Sequence, residues 1–475
     1  MIVTLIEKVY SFLWGDLVQI PLPGGSTLGI SLLIILLIPT GIYFTVRTRF
    51  LPIRLFPDMV QALVEKKQEK NSLSSFQTLI VSTATRVGMG NLVGVVAAIS
   101  AGGAGAVFWM WVTAIIGSST AFIEATLAQL YKEKDPLYGG YRGGPAYYIH
   151  AYVEEKQKKK RNKVVISVLF AISGLICWCG ISQVISNSVV SSFKNAFSIP
   201  PIYMTVVLVA VAAVIVLRKD ATVKILDMVV PVMAVCYFAI TILIIVMNIG
   251  SLPGVFARIF QEAFGFRQVA AGGFGAVLMN GIKRGLFSNE SGMGSAPIAA
   301  AAAQTRNPVR QALVSSTGTF WDTVVVCLMT GLVLVTSIMK NPAIDMGEIT
   351  NGGVLTTLAF QQIPVLGPVI LVVGIISFAY STVLGWAYYG ERCVEYFAGR
   401  KGLVPYRVLY IAVAVIAPVI SLNLVWTIAD ILNALMALPN LVAILLLSNV
   451  IVAETKKYIN NLDAKDDTEI EIIDR

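Results

Sequence analysis

Two glycine-rich stretches carry the residues whose types and spacing could do chemistry. They read TRVGMGNLVG at residues 85–94 and RGLFSNESGMGSAP at residues 284–297, and each interrupts an apolar segment. Glycine costs a helix interior about 1 kcal/mol and proline about 3 kcal/mol, so the second stretch has to break its helix. The ends of a broken helix expose N–H groups on one side and carbonyl groups on the other. Those ends suit the carboxylate and the ammonium of an amino acid.

An arginine accompanies the first stretch. Arg86 lies within an apolar run, and a buried arginine in a membrane is costly unless it is paired or hydrated. This cost favours a cavity over the alternative explanation of the glycines, which is close packing of helices through small residues. We expect Glu290 or Asp322 to neutralise Arg86, in an ion pair that is either structural or part of a gate.

Two further polar pairs lie in apolar segments. Gln183 and Asn187 are four residues apart, so they share one helix face and could hydrogen-bond a ligand or another helix. Ser381 and Thr382 are adjacent hydroxyls midway along an apolar run. Because such hydroxyls often bond back to their own helix, this pair by itself predicts little.

The composition is that of a polytopic membrane protein. Hydrophobic residues make up 56% and charged residues 13% of the chain, whereas an average soluble domain carries roughly 25% charge. The apolar residues fall in runs of about 20, the length that crosses the hydrocarbon of a lipid bilayer. The net charge of +9 comes from basic residues in short loops between these runs, so we expect no binding of nucleic acid.

The reactive side chains are too few and too scattered for an intramembrane enzyme. The chain has five cysteines, in or at the end of apolar segments, and a single histidine, His150, beside a basic loop. They form neither a metal cluster nor a nucleophile–base pair, so we expect no enzymatic activity. A channel is the other class of membrane protein to consider. A channel would pass current without saturable uptake of a substrate.

Eleven apolar runs are long enough to predict transmembrane helices. They lie near residues 28–46, 76–100, 106–131, 164–193, 202–217, 225–249, 272–303, 312–339, 365–397, 404–421 and 424–452. Basic residues concentrate in every second loop, which the positive-inside bias assigns to the cytoplasm. The first residue is therefore expected outside the cell membrane and the charged tail, residues 463–475, inside.

The runs divide into two matching sets. Setting the first run aside leaves two sets of five, each of which opens with a glycine-broken segment. Because five is odd, the second set enters the membrane from the opposite side, which is the inverted repeat of secondary transporters. The predicted parts are an N-terminal segment with one extra helix (1–75), the first repeat (76–249), an outer amphipathic helix with the second repeat (250–452) and a cytoplasmic charged tail (453–475).

Three shorter segments complete the prediction. Residues 1–20 are amphipathic and lack the basic start and the cleavage site of a signal peptide, so they are expected to lie along the membrane surface. Residues 138–148 are rich in glycine and tyrosine, which predicts that they pack on the helix bundle. Residues 252–266 read as a short amphipathic helix on the outer face.

Together these motifs resemble the alanine or glycine:cation symporter family. The resemblance covers residues 76–449 and is carried by residues 86–95, 143–148, 183 with 187, 284–297, 320–323, 385–392 and 426–440. It implies the all-α leucine-transporter (LeuT) fold, with ten core helices in two inverted repeats behind one extra helix. It also implies sodium-coupled uptake of a small neutral amino acid across the cytoplasmic membrane, with no cofactor besides the coupling ion. We expect a monomer.

The same resemblance implies the roles of particular residues. Substrate-binding residues are expected to be Met89, Gly90, Asn91, Gln183, Asn187, Phe287, Ser288 and Trp386. The N–H groups of residues 89–91 would meet the carboxylate, the carbonyls of Phe287 and Ser288 would take the ammonium, and Phe287 with Trp386 would wall the side-chain pocket. Sodium prefers oxygen ligands, and those expected are the carbonyls of Ala84 and Val87 and the hydroxyls of Ser381 and Thr382.

One departure from the family pattern bears on the coupling ion. Many family members carry threonine at the position of Arg86, and a fixed guanidinium there could replace the charge of a second sodium ion. We therefore predict one sodium ion per substrate. Two alternatives stay open, a larger neutral substrate such as glutamine and proton coupling through Glu290 or Asp322.

Overall fold

The computed structural model describes most of the chain as helices. The described residues are 2–21, 27–63, 79, 86–88, 90–136, 139–217, 219–265, 273–305, 307–341, 359–360, 363, 366–416 and 422–460. Within these ranges the strands form only two short antiparallel hairpins, which pair Val18–Pro21 (β1) with Thr27–Ile30 (β2) and Glu133–Lys134 (β3) with Tyr141–Arg142 (β4).

The helices follow the order of the apolar runs. In chain order they are α1 (Ile2–Trp14), α2 (Leu32–Arg47), α3 (Leu51–Arg54), α4 (Phe56–Leu63), α5 (Val95–Gly102), α6 (Gly105–Leu130), α7 (Pro145–Gln157), α8 (Val165–Phe197), α9 (Pro201–Leu217), α10 (Lys219–Met247), α11 (Leu252–Ala263), α12 (Gly273–Asn289), α13 (Ala296–Ala302), α14 (Pro308–Phe320), α15 (Leu328–Lys340), α16 (Leu366–Ala398), α17 (Arg400–Ile416), α18 (Leu422–Leu446) and α19 (Ser448–Asn460). Two π-helical segments, Gly90–Gly94 and Trp321–Cys327, lead into α5 and α15.

Several of these helices can cross a membrane by length and composition. Four described helical segments meet that description, and a fifth follows if a pair bent by 69°, Ala234–Met247 and Ile249–Ala263, counts as one span. The four segments are Gly105–Leu130, Val165–Asn187, Pro308–Lys340 and Leu424–Leu446. The chain is thus a multi-helix protein of membrane type, while the count of eleven spans and the two repeats of five stay predictions.

The last predicted run is divided. Residues 424–452 were expected as one span, but α18 ends at Leu446 and α19 begins at Ser448. The division falls where the apolar sequence gives way to Ser448 and Asn449, and α19 continues into the polar residues Lys456 and Lys457. The membrane-spanning part of this run is therefore α18 alone.

The second glycine-rich stretch breaks its helix as predicted. α12 ends at Asn289 and α13 begins at Ala296. Between them Glu290, Gly292 and Gly294 adopt φ values of 57°, 85° and 84°, a left-handed backbone that glycine adopts without strain and other residues rarely adopt. These residues separate the carbonyl end of α12 from the amino end of α13.

The first glycine-rich stretch is a π-helical turn. Its Asn91 side chain closes the turn, because Asn91 Oδ1 accepts a hydrogen bond from the Gly88 N–H at 2.9 Å. The Asn91 N–H in turn donates to the Gly88 carbonyl at 3.2 Å. Turns of this type inside helices are frequent at functional sites. Residues 80–85 and 89 lie outside the described residues, so the predicted ligands Ala84 and Met89 have no described position.

α6 is the central element of the bundle, since it packs against α2, α11, α12, α13 and α14. Its amino end is capped from α11, where the buried carboxylate of Glu262 accepts the Ala104 N–H at 2.6 Å and pairs with Arg258 at 2.7 Å. A carboxylate at this end of a helix is stabilised by the helix dipole. The indole of Trp109 also donates to the Ala263 carbonyl at 2.9 Å. The predicted amphipathic helix at 252–266 is confirmed as α11 and is fixed to α6.

The tyrosine- and glycine-rich loop packs on the bundle, as predicted. Tyr141, Tyr147 and Tyr148 are buried, and Arg142 forms an ion pair with Glu395 of α16 at 3.0 Å. Burial lowers the pKa of Arg142, but the neighbouring Tyr147 and Glu395 outweigh this, so the pKa is raised and the guanidinium stays charged. The loop thus connects the end of α6 to the end of α16.

Candidate functional site

The two glycine-rich stretches meet in the structure. The Asn91 amide nitrogen lies 3.3 Å from the Ser288 hydroxyl oxygen. A Cβ placed on Gly90 would lie 3.5 Å from both the Phe287 ring and the Ser288 Cα, so the glycine lets the second helix approach closely. The structure therefore brings together four of the residues that the sequence predicted for substrate binding: Gly90, Asn91, Phe287 and Ser288.

The carbonyl end of α12 is opened by competing acceptors. In an unbroken helix the Ser291 N–H would donate to the Phe287 carbonyl and the Gly292 N–H to the Ser288 carbonyl. Here the Ser291 N–H donates to Asn289 Oδ1 at 3.0 Å, and the Gly292 N–H donates to Glu124 Oε2 at 3.0 Å. Both carbonyls are thereby released from the helical pattern, which is the arrangement that a cationic group requires.

A buried carboxylate occupies the other side of the same break. Glu124 of α6 accepts the N–H groups of Gly292 and Gly294, each at 3.0 Å. The side-chain amide of Asn440 donates to Glu124 Oε1 and also to the Gly292 carbonyl, the latter at 3.0 Å. Tyr148 donates to Asn440. Because buried N–H groups need hydrogen-bond acceptors, Glu124 stabilises the second break in its open shape.

Asp322 ties the two breaks to the helix that contains it. Its carboxylate accepts hydrogen bonds from Asn91 Nδ2 at 2.8 Å, Ser288 Oγ at 2.7 Å and Thr323 Oγ1 at 2.8 Å. The residue is fully buried and lies in the π-helical segment Trp321–Cys327. Three donors therefore converge on this buried carboxyl group, which lies next to the predicted substrate site.

Arg86 is buried but makes little direct contact. Its NH1 donates to the Ser315 carbonyl at 3.2 Å, while Nε and NH2 have no hydrogen-bond partner among the described residues. Gly318 provides the space, because a Cβ there would lie 2.6 Å from Arg86 NH1. The positive charge acts through space on Glu124 and Asp322.

The expected direct ion pair of Arg86 is therefore not what the structure shows. Asp322 attracts Arg86 at a distance, and its oxygens bind Asn91, Ser288 and Thr323 instead. Glu290 binds the Ser295 hydroxyl at 2.8 Å and the Trp386 indole at 3.2 Å. The physical reason is that neutral donors from several helices already satisfy these carboxylates, while the guanidinium donates to the Ser315 main-chain carbonyl.

Aromatic rings enclose the site on one side. The Phe287 ring lies 6.1 Å from Trp386 and 5.1 Å from Trp426, in both cases edge to face. All three side chains are buried, and the hydrogen bond to Glu290 fixes the Trp386 indole. The predicted pair Phe287 and Trp386 is thus found together, and Trp426 is an additional member.

The remaining predicted residues lie on α8 and α16. Gln183 reaches toward the Val413 carbonyl of α17 at 3.5 Å, so its amide faces another helix, and Asn187 is half-buried on the same helix. The hydroxyls of Ser381 and Thr382 both donate to the Phe378 carbonyl of their own helix, at 3.0 and 2.7 Å. A hydroxyl oxygen that donates still has lone pairs for a cation, so this bond is compatible with the predicted sodium site.

A sequence comparison identifies the family. The family whose sequence model matches is described as the sodium:alanine symporter family, and the match covers residues 23–472. The chain belongs to the sodium:alanine symporter family. It is 41% identical over 462 residues to the sodium/alanine symporter AgcS of Methanococcus maripaludis, covering 96% of this chain and 97% of that one. It is 40% identical over 433 residues to the probable sodium/glutamine symporter GlnT of Bacillus subtilis, covering 90% and 88%.

Two solved structures share the fold of this chain. One is MhsT in complex with L-phenylalanine, with a TM-score of 0.56 at 14% identity, covering 82% of this chain and 93% of that chain. Another is a Na⁺-coupled sialic acid symporter in a substrate-bound outward-open state, with a TM-score of 0.53 at 11% identity, covering 83% and 84%. At such identities the likeness concerns the fold alone.

Three residues of the site were missed as site residues in the sequence. Glu124 stands out as an ionisable residue inside an apolar run, which is a recognised sign of function, but nothing local shows that it binds the second break. Asn440 and Trp426 belong to the motif at residues 426–440. Their roles become visible only when α18 is placed beside α6 and α12.

Proposed function

We propose that this chain is a sodium-coupled symporter that carries alanine or glycine into the cell. The observation that carries the proposal is the meeting of the two glycine-rich stretches at Asn91 and Ser288, in a member of the sodium:alanine symporter family. The relative AgcS, a sodium/alanine symporter by its name, matches nearly the whole chain. Broken helices at the middle of the bundle are where secondary transporters bind small zwitterions.

In this proposal the ammonium and the carboxylate of the substrate bind to different breaks. The ammonium binds to the released carbonyls of Phe287 and Ser288. The N–H groups of Gly292 and Gly294 in the second break are occupied by Glu124, so the carboxylate is assigned to the first break. There the N–H groups of Met89 and Gly90 would bind it, and that of Asn91 would join them once its bond to the Gly88 carbonyl opens. The resemblance also assigns Gln183 and Asn187 of α8 to this cavity, and Gln183 would reach the substrate by giving up its contact with the Val413 carbonyl.

The sodium ion, which is cargo of the transport cycle, is assigned to the junction of the first break and α16. Its ligands would be the carbonyls of Ala84 and Val87 and the hydroxyls of Ser381 and Thr382, a set of oxygens that suits a hard cation. Sodium bound there would stabilise the outward-open state, the amino acid would complete the site, and rocking of the repeats would release both inside. We further propose one sodium ion per substrate, because Arg86 supplies a fixed positive charge.

The aromatic enclosure supports a small substrate. Phe287, Trp386 and Trp426 fill one side of the site with three rings, so a methyl group or hydrogen fits more readily than a long side chain. Glutamine is the second candidate, because GlnT, a probable sodium/glutamine symporter, is almost as similar to this chain as AgcS is. Proton coupling is the alternative to sodium, since Glu290 and Asp322 are buried carboxylates in the site.

The finer topology belongs to the same proposal. Eleven spans, an inverted repeat of five plus five, an outer amino terminus and an inner carboxyl terminus agree with the alternating basic loops of the sequence. A monomer in the cytoplasmic membrane suffices, because both breaks belong to one chain.

Uptake in proteoliposomes tests the proposal. Labelled alanine, glycine, serine and glutamine are offered to the purified protein with and without an inward sodium gradient, at a clamped membrane potential. Alanine or glycine should accumulate only with the gradient, a sodium ionophore should abolish this, and a protonophore should not. Accumulation that survives collapse of the sodium gradient would show that the coupling ion is wrongly assigned, and preferential uptake of glutamine would establish the second candidate.

A further inference from the structure

The amino-terminal helix lies on the two helices that close the site. α1 packs against α18, which carries Trp426 and Asp430, and its residues Leu13 and Trp14 are buried. The opposite face of α1 exposes large apolar side chains such as Leu5 and Phe12. α1 therefore packs on the helix bundle through one face only.

Two contacts fasten α1 to the bundle. The Trp14 indole donates a hydrogen bond to the Asp430 main-chain carbonyl at 2.9 Å. Lys283 of α12 donates to the Tyr10 hydroxyl, and its ammonium lies 4.5 Å from the centre of the Tyr10 ring and 5.0 Å from that of Trp14. An ammonium held over two aromatic faces is attracted by both. Two of the three helices that carry pocket rings, α12 with Phe287 and α18 with Trp426, are thus bound to α1.

Beneath α1 an ion pair leads to the pocket wall. Arg284 pairs with the Asp430 carboxylate at 3.0 Å and lies 4.0 Å over the Trp426 ring. Trp426 in turn contacts Phe287 at 5.1 Å between ring centres. A continuous column therefore runs from Trp14 through Asp430, Arg284 and Trp426 to the substrate site.

The ion pair depends on the exclusion of water. Its two side chains are only 8% and 5% exposed, and Arg284 Nε and NH1 have no hydrogen-bond partner among the described residues. Separating such a pair is favourable only when water reaches both charges. α1 covers the Asp430 side of the pair, so water gains access when α1 leaves.

We propose that α1 is a latch whose residues Trp14 and Tyr10 hold the outer gate of the pocket closed, the outer gate being Arg284, Asp430 and Trp426. This inference rests on the proposed function, which places α1 outside and makes the site a transport site. Opening the pocket to the outside requires α1 to detach from α12 and α18. If α1 were instead a static support, called a brace below, it would keep its contacts with α12 and α18 throughout the transport cycle.

Reversible cross-linking distinguishes a latch from a brace. The double variant Tyr10→Cys/Lys283→Cys is made in a Cys236→Ser background, because Cys236 is the exposed native cysteine among the described residues. Sodium-driven alanine uptake is measured before treatment, after a short bifunctional methanethiosulfonate reagent, and after reduction, with cross-linking verified by mass spectrometry. The two single-cysteine variants and a monofunctional reagent are the controls.

The latch predicts that uptake is lost on cross-linking and returns on reduction, while the controls retain it. Uptake by the cross-linked protein at the rate of the untreated protein would overturn the inference. A failure of the proposed function is distinguishable, because the unmodified protein would then show no sodium-driven uptake at all.

A matched pair of tryptophan variants supplies a second test that needs no cross-link. Trp14→Phe removes the indole hydrogen bond to Asp430, and Trp109→Phe removes a bond of the same kind and length, 2.9 Å, between α6 and α11. Loss of one hydrogen bond that favours the closed gate should raise the outward-open population about fivefold and lower the half-saturating external alanine by up to that factor. Trp109→Phe should leave that concentration unchanged. Equal effects of the two variants, or none for Trp14→Phe, would contradict the latch.

Discussion

Replacing Glu124 by glutamine should weaken substrate binding, although Glu124 is assigned no contact with the substrate. The glutamine oxygen can keep the position of Oε1, which accepts from Gly294 and Asn440, but its amide then faces the Gly292 N–H that Oε2 accepts in the native protein. The Gly292 N–H loses its acceptor, at a cost of about 2 kcal/mol. It can recover a partner by donating to the Ser288 carbonyl, which would occupy a carbonyl that the proposal assigns to the substrate ammonium.

The expected result is a rise in the half-saturating alanine concentration. If the 2 kcal/mol appears as lost affinity, KM for alanine increases about thirtyfold. Initial rates of sodium-driven uptake at a saturating sodium gradient give KM and the maximal rate separately, and thermal unfolding of the detergent-solubilised protein reports stability. Glu124→Asp, which keeps the charge on a shorter side chain, should recover part of the affinity.

Glu262→Gln is the matched control. Glu262 is also a buried carboxylate that accepts a main-chain N–H, at the amino end of α6, but it is remote from both breaks. The Glu262→Gln substitution should lower the unfolding temperature of the protein and leave KM for alanine unchanged. A Glu124→Gln protein with native KM, or a Glu262→Gln protein with the same increase in KM, would refute the reasoning.

Three further predictions concern charge and pocket size. Arg86→Thr should raise the coupling ratio from one sodium ion per alanine to two, measured by parallel flux of labelled sodium and alanine, and an unchanged ratio would contradict the assigned role. Gly318→Ala should reduce alanine uptake severalfold, because the added Cβ would lie 2.6 Å from Arg86 NH1. The double variant Gly318→Ala/Arg86→Thr should recover uptake. A double variant as impaired as Gly318→Ala would count against this explanation. Phe287→Leu should shift the ratio of glutamine to alanine uptake toward glutamine, since it removes a ring from the enclosure, whereas Phe12→Leu on the exposed face of α1 should not change that ratio.

Much of the site could be predicted because helix breaking is a local property. The glycines and the proline of residues 284–297 cannot all lie in one helix, and the structure breaks it between Asn289 and Ala296. The proximity of Asn91 to Ser288 and of Phe287 to Trp386 was predicted through the family motifs. The roles of these residues in binding stay predictions.

The partners of the buried charges could not be predicted from the sequence. Glu124 lies 168 residues before Gly292, and only the packing of α6 against α12 and α13 brings them together. The same packing explains why Arg86 makes no direct ion pair with Asp322, whose carboxylate accepts hydrogen bonds from Asn91, Ser288 and Thr323. Which donor reaches a buried carboxylate depends on helix positions within an ångström, and periodicity does not determine these.

The measurement that tests the central claim most directly is the reversal of alanine flux in proteoliposomes. Opposing sodium and alanine gradients are set, and the membrane potential is varied until net flux of labelled alanine is zero. One sodium ion per alanine predicts reversal at the potential where the electrochemical gradient of a single sodium ion equals the alanine gradient. A flux that does not respond to the sodium gradient at any potential would contradict sodium-coupled alanine transport.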